Sequence, residues 1–219
     1  SSGVTSLNAI AASSTGTVTV AAVSGNSADL ANLTASGTKA TQAYTITVDN
    51  ATTAANGKTI AAATTAGTVD FSAGGVSDTF ANLTTTTAVS TNMQAIDAKD
   101  ANVNIVVSDT NVADMSANNV TALNALMNAT TGTVTATIDG NAAQLDDLQA
   151  TGSTSTQALT ITVDDAVTAA QGKTIAAATS VGTVDFSAGG VSDTLGNLAS
   201  GGNVSTNLGK IDAKDANVD

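Results

Sequence analysis

The chain contains nearly two copies of one unit of about 115 residues, and this repeat constrains the fold more than any other feature. Residues 41–83 read TQAYTITVDNATTAANGKTIAAATTAGTVDFSAGGVSDTFANL, and residues 156–198 read TQALTITVDDAVTAAQGKTIAAATSVGTVDFSAGGVSDTLGNL. The same offset of 115 relates residues 96–103 to residues 211–218, whereas an offset of 116 relates Leu7 to Leu123. Repetition at this level predicts two units, residues 1–116 and an incomplete second unit over residues 117–219.

Short runs of alternating apolar and polar residues predict β-strands within each unit. The runs are residues 17–20, 44–48, 68–72, 102–107, 133–138, 159–163 and 183–187. Successive runs begin about 25 to 35 residues apart, a step that suits one coil of a repeat protein. We therefore expect an α/β solenoid, a parallel β-helix-like stack of about four coils per unit, each with a short strand and often a short helix.

The strand phase predicts which side chains are buried. Val69, Phe71, Ile46 and Val48 should point inward, and the residues that alternate with them should face outward. Aromatic residues make up only 2% of the chain, so the core must be narrow and filled by small apolar side chains. Two tandem β-sandwich domains are the alternative, which the helical spacings and the scarcity of aromatic residues disfavour.

Apolar residues at helical spacing predict short helices between the strands. The sets are Val76, Phe80 and Leu83, then Val89, Met93 and Ile96, each with a counterpart in the second unit. Ser77 and Ser90 stand where the N-caps of these helices are expected. The pairs Asn56-Gly57 and Gly74-Gly75 predict tight corners, because glycine tolerates positive φ.

The residue types that the chain lacks exclude most catalytic sites. The sequence has no His, Cys, Glu or Arg, so that only Asp, Lys, Ser, Thr and Tyr44 remain for proton transfer or nucleophilic attack. Pairs of Asp could in principle hydrolyse glycosides; the candidates are Asp146 with Asp147, Asp164 with Asp165, Asp97 with Asp100, and Asp212 with Asp215. Asp in turns and first helical turns caps backbone donors, and this structural interpretation is favoured. The sequence predicts a protein that is not an enzyme and has no catalytic residue.

Net charge limits the partners. The formal charge is −12 with a sequence pI near 4.1, which repels nucleic acid and anionic membrane surfaces. No apolar run is long enough to span a bilayer, so no membrane insertion is expected. The expected partners are further repeats of the same protein, with self-association.

The sequence contains no recognisable motif for a calcium site. Neither an EF-hand loop nor the glycine-rich nonapeptide of calcium-binding β-rolls occurs, and the nearest approach is residues 189–193, which read GGVSD. We expect no cofactor, and calcium alone stays open because Asp and carbonyl oxygens are its usual ligands.

Threonine pairs on several predicted strands form a candidate outward binding face. They are Thr17 and Thr19, Thr45 and Thr47, Thr133 and Thr135, and Thr160 and Thr162. The pattern resembles the ice-binding face of β-solenoid antifreeze proteins, and the resemblance implies a flat ligand-binding surface for ice. Thr is also an ordinary outward residue of strands, because it is β-branched and polar.

The bias toward Thr, Ala, Val, Asn, Asp and Gly, without Cys and with an acidic pI, resembles the repeat regions of bacterial surface-layer proteins and long secreted adhesins. This resemblance implies an extracellular location at the bacterial cell surface and a structural role as filament, lattice or stalk. A ligand-binding face for ice or glycans in an adhesin is the alternative. Both ends of the chain fall in the middle of the repeat register, so we expect the natural protein to continue in both directions.

Overall fold

Parallel strands and short helices alternate along the chain in the computed structural model, which describes residues 2–152 and 154–215. The elements of the first part are α1 (Ser2–Ser13), β1 (Thr17–Gly25), α2 (Ser27–Leu30), β2 (Thr41–Val48), α3 (Ala54–Ala62), β3 (Val69–Asp70), β4 (Val76–Asp78), α4 (Phe80–Leu83), α5 (Thr91–Asp97) and β5 (Ile105–Val107). Those of the second part are α6 (Ala117–Asn128), β6 (Thr133–Gly140), α7 (Ala142–Leu145), β7 (Thr156–Val163), α8 (Ala169–Ala177), β8 (Val184–Asp185), α9 (Leu195–Leu198), β9 (Ala199–Ser200), β10 (Asn203–Val204) and α10 (Thr206–Asp212).

The strands form three separate sheets among the described residues. Strands β1, β2 and β3 make a three-stranded sheet, and β4 to β8 make a five-stranded sheet, both parallel and both in sequence order. Strands β9 and β10 form a small antiparallel pair. Since parallel neighbours need a crossover, helices lie in most of the connections between them.

The predicted fold class, an α/β solenoid made of one continuous parallel β-helix-like stack, is wrong. The chain is a mixed α/β fold in which β3 ends one parallel sheet and β4 begins another. Strand β3 ends where Phe71, directly after it, donates its backbone N–H to the Asp100 carboxylate at 2.8 Å instead of extending the ladder. Its carbonyl then accepts from Gly75 N at 2.8 Å, and Gly75 has a φ of +63° that turns the chain into β4.

The predicted strand phase is confirmed. Val69, Phe71, Ile46 and Val48 are all buried in one hydrophobic cluster. Thr68, Asp70 and Thr45 are exposed and Thr47 is half-buried, as alternation requires.

A β-bulge explains why the repeat offset changes from 116 to 115. Val20 pairs with Tyr44 and Val23 pairs with Ile46, so two residues of β1, Ala21 and Ala22, oppose the single residue between those partners in β2. Strand β6 pairs with β7 without such a shift. The extra residue in β1 is therefore absorbed in the bulge and leaves the pairing on both sides intact.

The helix predictions hold at one site and need correction at two. Ser90 caps α5, since its side chain accepts from Met93 N. Ser77 lies in β4 instead, and α4 begins only after Thr79, which makes no side-chain cap. Gly57 is not in a corner but inside α3, where a Cβ would lie 2.5 Å from Ile96 Cδ1 on α5. The glycine is required by this close helix packing and not by positive φ.

Candidate functional site

The eight threonines of the predicted face lie on strands β1, β2, β6 and β7, with side chains turned away from the core. Five of them are exposed and three are half-buried: Thr17, Thr19, Thr45, Thr135 and Thr160, and then Thr47, Thr133 and Thr162. They divide between two sheets: those of β1 and β2 lie in the first sheet, and those of β6 and β7 lie in the five-stranded sheet. The binding role of this face stays a prediction.

Pairing across the strands shows which residues stand beside these threonines. Thr17 pairs with Thr41 and Thr133 with Thr156, so short Thr rows do form at one end of each sheet. Thr135, in contrast, lies between Val106 and Ala158. Thr162 lies between Asp139 and Asp185, which places charge in the row. The rows that contain only Thr therefore extend across no more than two neighbouring strands.

Three of the eight Asp residues in the predicted pairs accept hydrogen bonds from distant backbone N–H groups. Asp100 is buried and accepts from Phe71 N, and Asp215 accepts from Phe186 N, each at 2.8 Å. Asp165 accepts from Ala142 N, the first residue of α7, at 2.7 Å. Loss of solvent contact raises the pKa of Asp97, whose helix α5 precedes Asp100. These geometries bear out the structural interpretation of the carboxylates in turns for Asp100, Asp165 and Asp215.

Tyr44, the only phenol of the chain, is buried in the core. Burial raises the pKa of its hydroxyl group, with a smaller opposing effect of Gln42. A phenol in this position cannot reach a substrate at the surface, so Tyr44 belongs to the packing of β2.

One acidic cluster joins residues that the sequence does not bring together. Carboxylate oxygens of Asp114, Asp139 and Asp164 lie within 4.8 Å of one another at the ends of β6 and β7. Partial loss of solvent, together with the charges of Asp139, Asp114 and Asp165, raises the pKa of Asp164. Asp114 also has a φ of +51°, the one non-glycine residue with positive φ in the described ranges.

Hydrogen bonds already use part of this cluster. Asp139 Oδ1 accepts from Asp114 N, and Asp139 Oδ2 accepts from Asn111 Nδ2 at 2.6 Å. Gln144 lies beside the cluster and its buried Oε1 has no partner in the described structure, although the residue as a whole is only half-buried. Carboxylate oxygens suit hard cations, but calcium takes about six to eight oxygens, and the cluster offers three carboxylates that are partly occupied. The geometry identifies no ligand.

Sequence reasoning missed this cluster because it considered only Asp residues that are close together in the chain. The available signal was an equal spacing of 25 residues, from Asp114 to Asp139 and from Asp139 to Asp164. The first unit does not reproduce the cluster, since Ser24 stands at the position of Asp139 and Asp49 at that of Asp164.

Comparison with known proteins gives no relative to set beside this geometry: no protein-family model, curated protein or solved structure matches the chain.

Proposed function

We propose that the chain is a non-enzymatic structural segment of an elongated surface protein that bacteria export, acting as part of a filament, lattice or stalk. The observation that carries the proposal is that the hydrogen bonds of one unit recur in the other with the same atoms and nearly the same lengths. A repeat that preserves its scaffold in this way is suited to serial extension.

The recurring hydrogen bonds connect distant parts of each unit. Ala54 N donates to Asp78 Oδ2 at 3.0 Å, and Ala169 N donates to Asp193 Oδ2 at the same distance. Lys99 Nζ reaches Thr65 O at 3.3 Å, and its counterpart Lys214 Nζ reaches Ser180 O, also at 3.3 Å. The Phe71–Asp100 and Phe186–Asp215 bonds form a third such pair, each 2.8 Å long.

Close backbone contacts recur in the same way. A Cβ on Gly67 would lie 1.8 Å from Tyr44 O, and a Cβ on Gly182 would lie 1.8 Å from Leu159 O. Only glycine fits at either position, so these glycines are retained for chain packing. The acidic cluster at Asp114, in contrast, has no full counterpart in the first unit. The two units therefore share their hydrogen bonds and close backbone contacts but not the acidic cluster. This favours a structural role over a ligand site that is repeated in each unit.

The partners in this proposal are further repeats of the same protein and other copies of the chain. Within the described ranges no helix is long and apolar enough to cross a bilayer. The extracellular location rests on the compositional resemblance to surface-layer proteins and adhesins, together with the acidic pI near 4.1.

A ligand-binding face for ice or glycans on the same scaffold is the second candidate. The outward threonines of β1, β2, β6 and β7 favour it, whereas Asp139 and Asp185 beside Thr162 weigh against a flat uncharged array. Measurable thermal hysteresis or a positive glycan array would support this candidate, and blank results in both would dismiss it.

Negative-stain microscopy of the intact natural protein, combined with antibody labelling of unpermeabilised cells, tests the structural proposal. We expect elongated particles or a regular lattice, and labelling of the cell surface. Compact globular particles or labelling that requires permeabilisation would contradict it.

A further inference from the structure

The segment of residues 104–115 lies between two other parts of the chain and bonds to both. On one side Val76 N donates to Asn104 O and Ser108 N donates to Asp78 O, each at 2.8 Å. On the other side β5 pairs in parallel with β6, Val112 N donates to Thr137 O at 2.9 Å, and Met115 N donates to Asp139 O at 2.9 Å. The segment is thus an inserted strand with a following loop.

This segment covers an apolar surface that α6, β6 and α7 form. The surface residues are all buried: Val120, Leu123, Val134, Ala136, Ile138 and Leu145. Ile105, Val107 and Met115 of the segment are buried in the same hydrophobic cluster as these residues. Met115 lies directly over Gly140, where a Cβ would be 3.2 Å from Met115 Cβ, so the glycine makes room for the methionine.

The first unit has the same surface without a cover among the described residues. Helix α1, strand β1 and helix α2 stand where α6, β6 and α7 stand in the second unit, and β1 is an edge strand bonded only to β2. A groove of about 610 Å³ opens there, and Ser6, Ser24 and Asp29 form the polar part of its lining. The rest of the lining is apolar or glycine and includes counterparts of the covered surface: Val4, Leu7, Val20, Val23, Gly25 and Leu30.

We propose that this groove binds an extended segment with the side-chain pattern of Ile105–Met115, supplied by another unit of the same repeat. The second unit identifies the occupant, because it shows this segment seated on the equivalent surface. By analogy with β5 on β6, the incoming strand adds in parallel to the edge of β1, its Ile and Val next to Val18 and Thr19. The loop that follows places its methionine over Gly25.

The inference rests on the proposed role of the chain as a repeat-built structural segment, and it names the contact between successive units. The contact combines backbone hydrogen bonds at a sheet edge with apolar side chains in a preformed groove, so it requires no catalytic or metal-binding group. We therefore expect a short peptide with the sequence of this segment to bind the groove.

The test uses the whole chain and a fluorescent synthetic peptide of residues 103–116, whose sequence is VNIVVSDTNVADMS. Anisotropy should show saturable binding about tenfold tighter than that of the same peptide carrying Ile105→Asp and Val107→Asp. Hydrogen exchange should slow in residues 17–25. Hydrogen exchange is needed to locate the bound peptide, because the peptide could also pair with residues 191–193. These residues are the counterpart of β4, the strand that pairs with β5.

Two variants of the chain test the groove itself. Gly25→Val should reduce the protection of β1 by the peptide about tenfold, since a side chain there occupies the place of the methionine. In the free protein the added Cβ meets only ordinary contacts with Leu30, at 3.6 and 3.7 Å. Val20→Asp is the second variant, and Gly209→Val on the exposed face of α10 is the control, with folding of each checked by circular dichroism.

Peptide binding that is no tighter than that of the substituted peptide would overturn the inference, as would protection of β1 that survives both groove variants. Dimerisation through β1 without peptide would also overturn it, because a second folded copy would then be the occupant. A compact parent protein in the microscope would contradict the structural role and leave peptide binding unaffected, so the two failures are distinguishable.

Discussion

Asp and Asn side chains in this chain bond to backbone donors that lie about one strand-to-strand step away. Ser27 N donates to Asn50 Oδ1 at 2.7 Å, Thr34 N to Asn8 Oδ1 at 2.8 Å, and Gln149 N to Asn124 Oδ1 at 3.0 Å. Backbone N–H groups at the ends of short helices and strands otherwise lack partners, and leaving them unpaired in a partly buried position is costly. At the residue scale, the abundance of Asp and Asn therefore reflects scaffold bonding as well as surface charge.

Stability should pass through a maximum at about pH 4, near the ordinary Asp pKa. Hydrogen bonds from Ser72 and Ser187 lower the pKa of Asp70 and Asp185, so their contribution is present above the unfolded pKa and is lost as pH falls through the folded value. Desolvation raises the pKa of Asp97 and Asp164, so protonation of these two groups adds stability as pH falls from neutrality. Urea midpoints between pH 2 and pH 8 measure the curve.

Matched variants separate the two limbs of this pH curve. Asp70→Asn combined with Asp185→Asn should flatten the acid limb, whereas Asp164→Asn should flatten the limb on the neutral side of the maximum. A double variant at Asp70 and Asp185 that loses as much stability between pH 4 and pH 2 as the natural chain would contradict the assignment.

Replacing Gly57 with Ala should destabilise the chain although Ala is the better helix former. The new Cβ would lie 2.5 Å from Cδ1 of Ile96, which is fully buried, so we expect a cost of about 1 to 2 kcal/mol. Ile96→Val removes that Cδ1 atom and alone should cost about 1 kcal/mol. The double variant should cost less than the sum, as measured by urea denaturation.

Gly209 on α10 provides the control, because a Cβ there meets no atom within 4 Å. Gly209→Ala should stabilise the chain by about 0.5 to 1 kcal/mol. Equal effects of the two Gly→Ala substitutions would show that helix propensity, and not contact with Ile96, decides the outcome.

At the scale of elements, strand positions and phase followed from the sequence, but the division into sheets did not. Alternation around Ile46 and Val69 predicted which side chains are buried, since period-2 patterning is local. The end of β3 depends on a bond from Phe71 N to a carboxylate 29 residues later, and β4 is only three residues long. Neither feature leaves a local pattern, so the sequence predicted one continuous stack where the described residues form two parallel sheets and a small antiparallel pair.

Deleting Ala22 should convert the bulged β1 into a regular strand like β6. Because the bulge already holds the one extra residue, the inward residues on both sides keep their phase, and we expect a cost below about 1 kcal/mol. Deleting Thr137 from β6 shifts every later side chain of the strand to the opposite face and should cost about 3 kcal/mol or prevent folding. Thermal and urea unfolding of the two deletions should therefore differ sharply; similar losses would mean that the bulge itself is required.

At the scale of the whole molecule, the acidic cluster shows what a search for Asp residues close together in the chain misses. Asp114, Asp139 and Asp164 meet because a loop and the ends of two neighbouring strands bring them together. Asp146 and Asp147, which are adjacent in sequence, acquire no such cluster in the described structure. Proximity in the chain is a poor guide to proximity in this fold, whereas a spacing of about 25 residues, the step from β6 to β7, is a good one.

Added salt should promote association between copies of the chain. The formal charge of −12 makes copies repel one another, and the Debye length falls from about 10 Å at 0.1 M to about 3 Å at 1 M sodium chloride. Screened copies can then bring together the large apolar side chains that the second unit exposes, which are Val181 at 73%, Leu195 at 79% and Val204 at 66%. Static light scattering with chelator present should rise with salt, and it should rise less in a variant with Ser at these three positions. Dispersal on adding sodium chloride would show that attraction between charges, and not apolar contact, holds copies together.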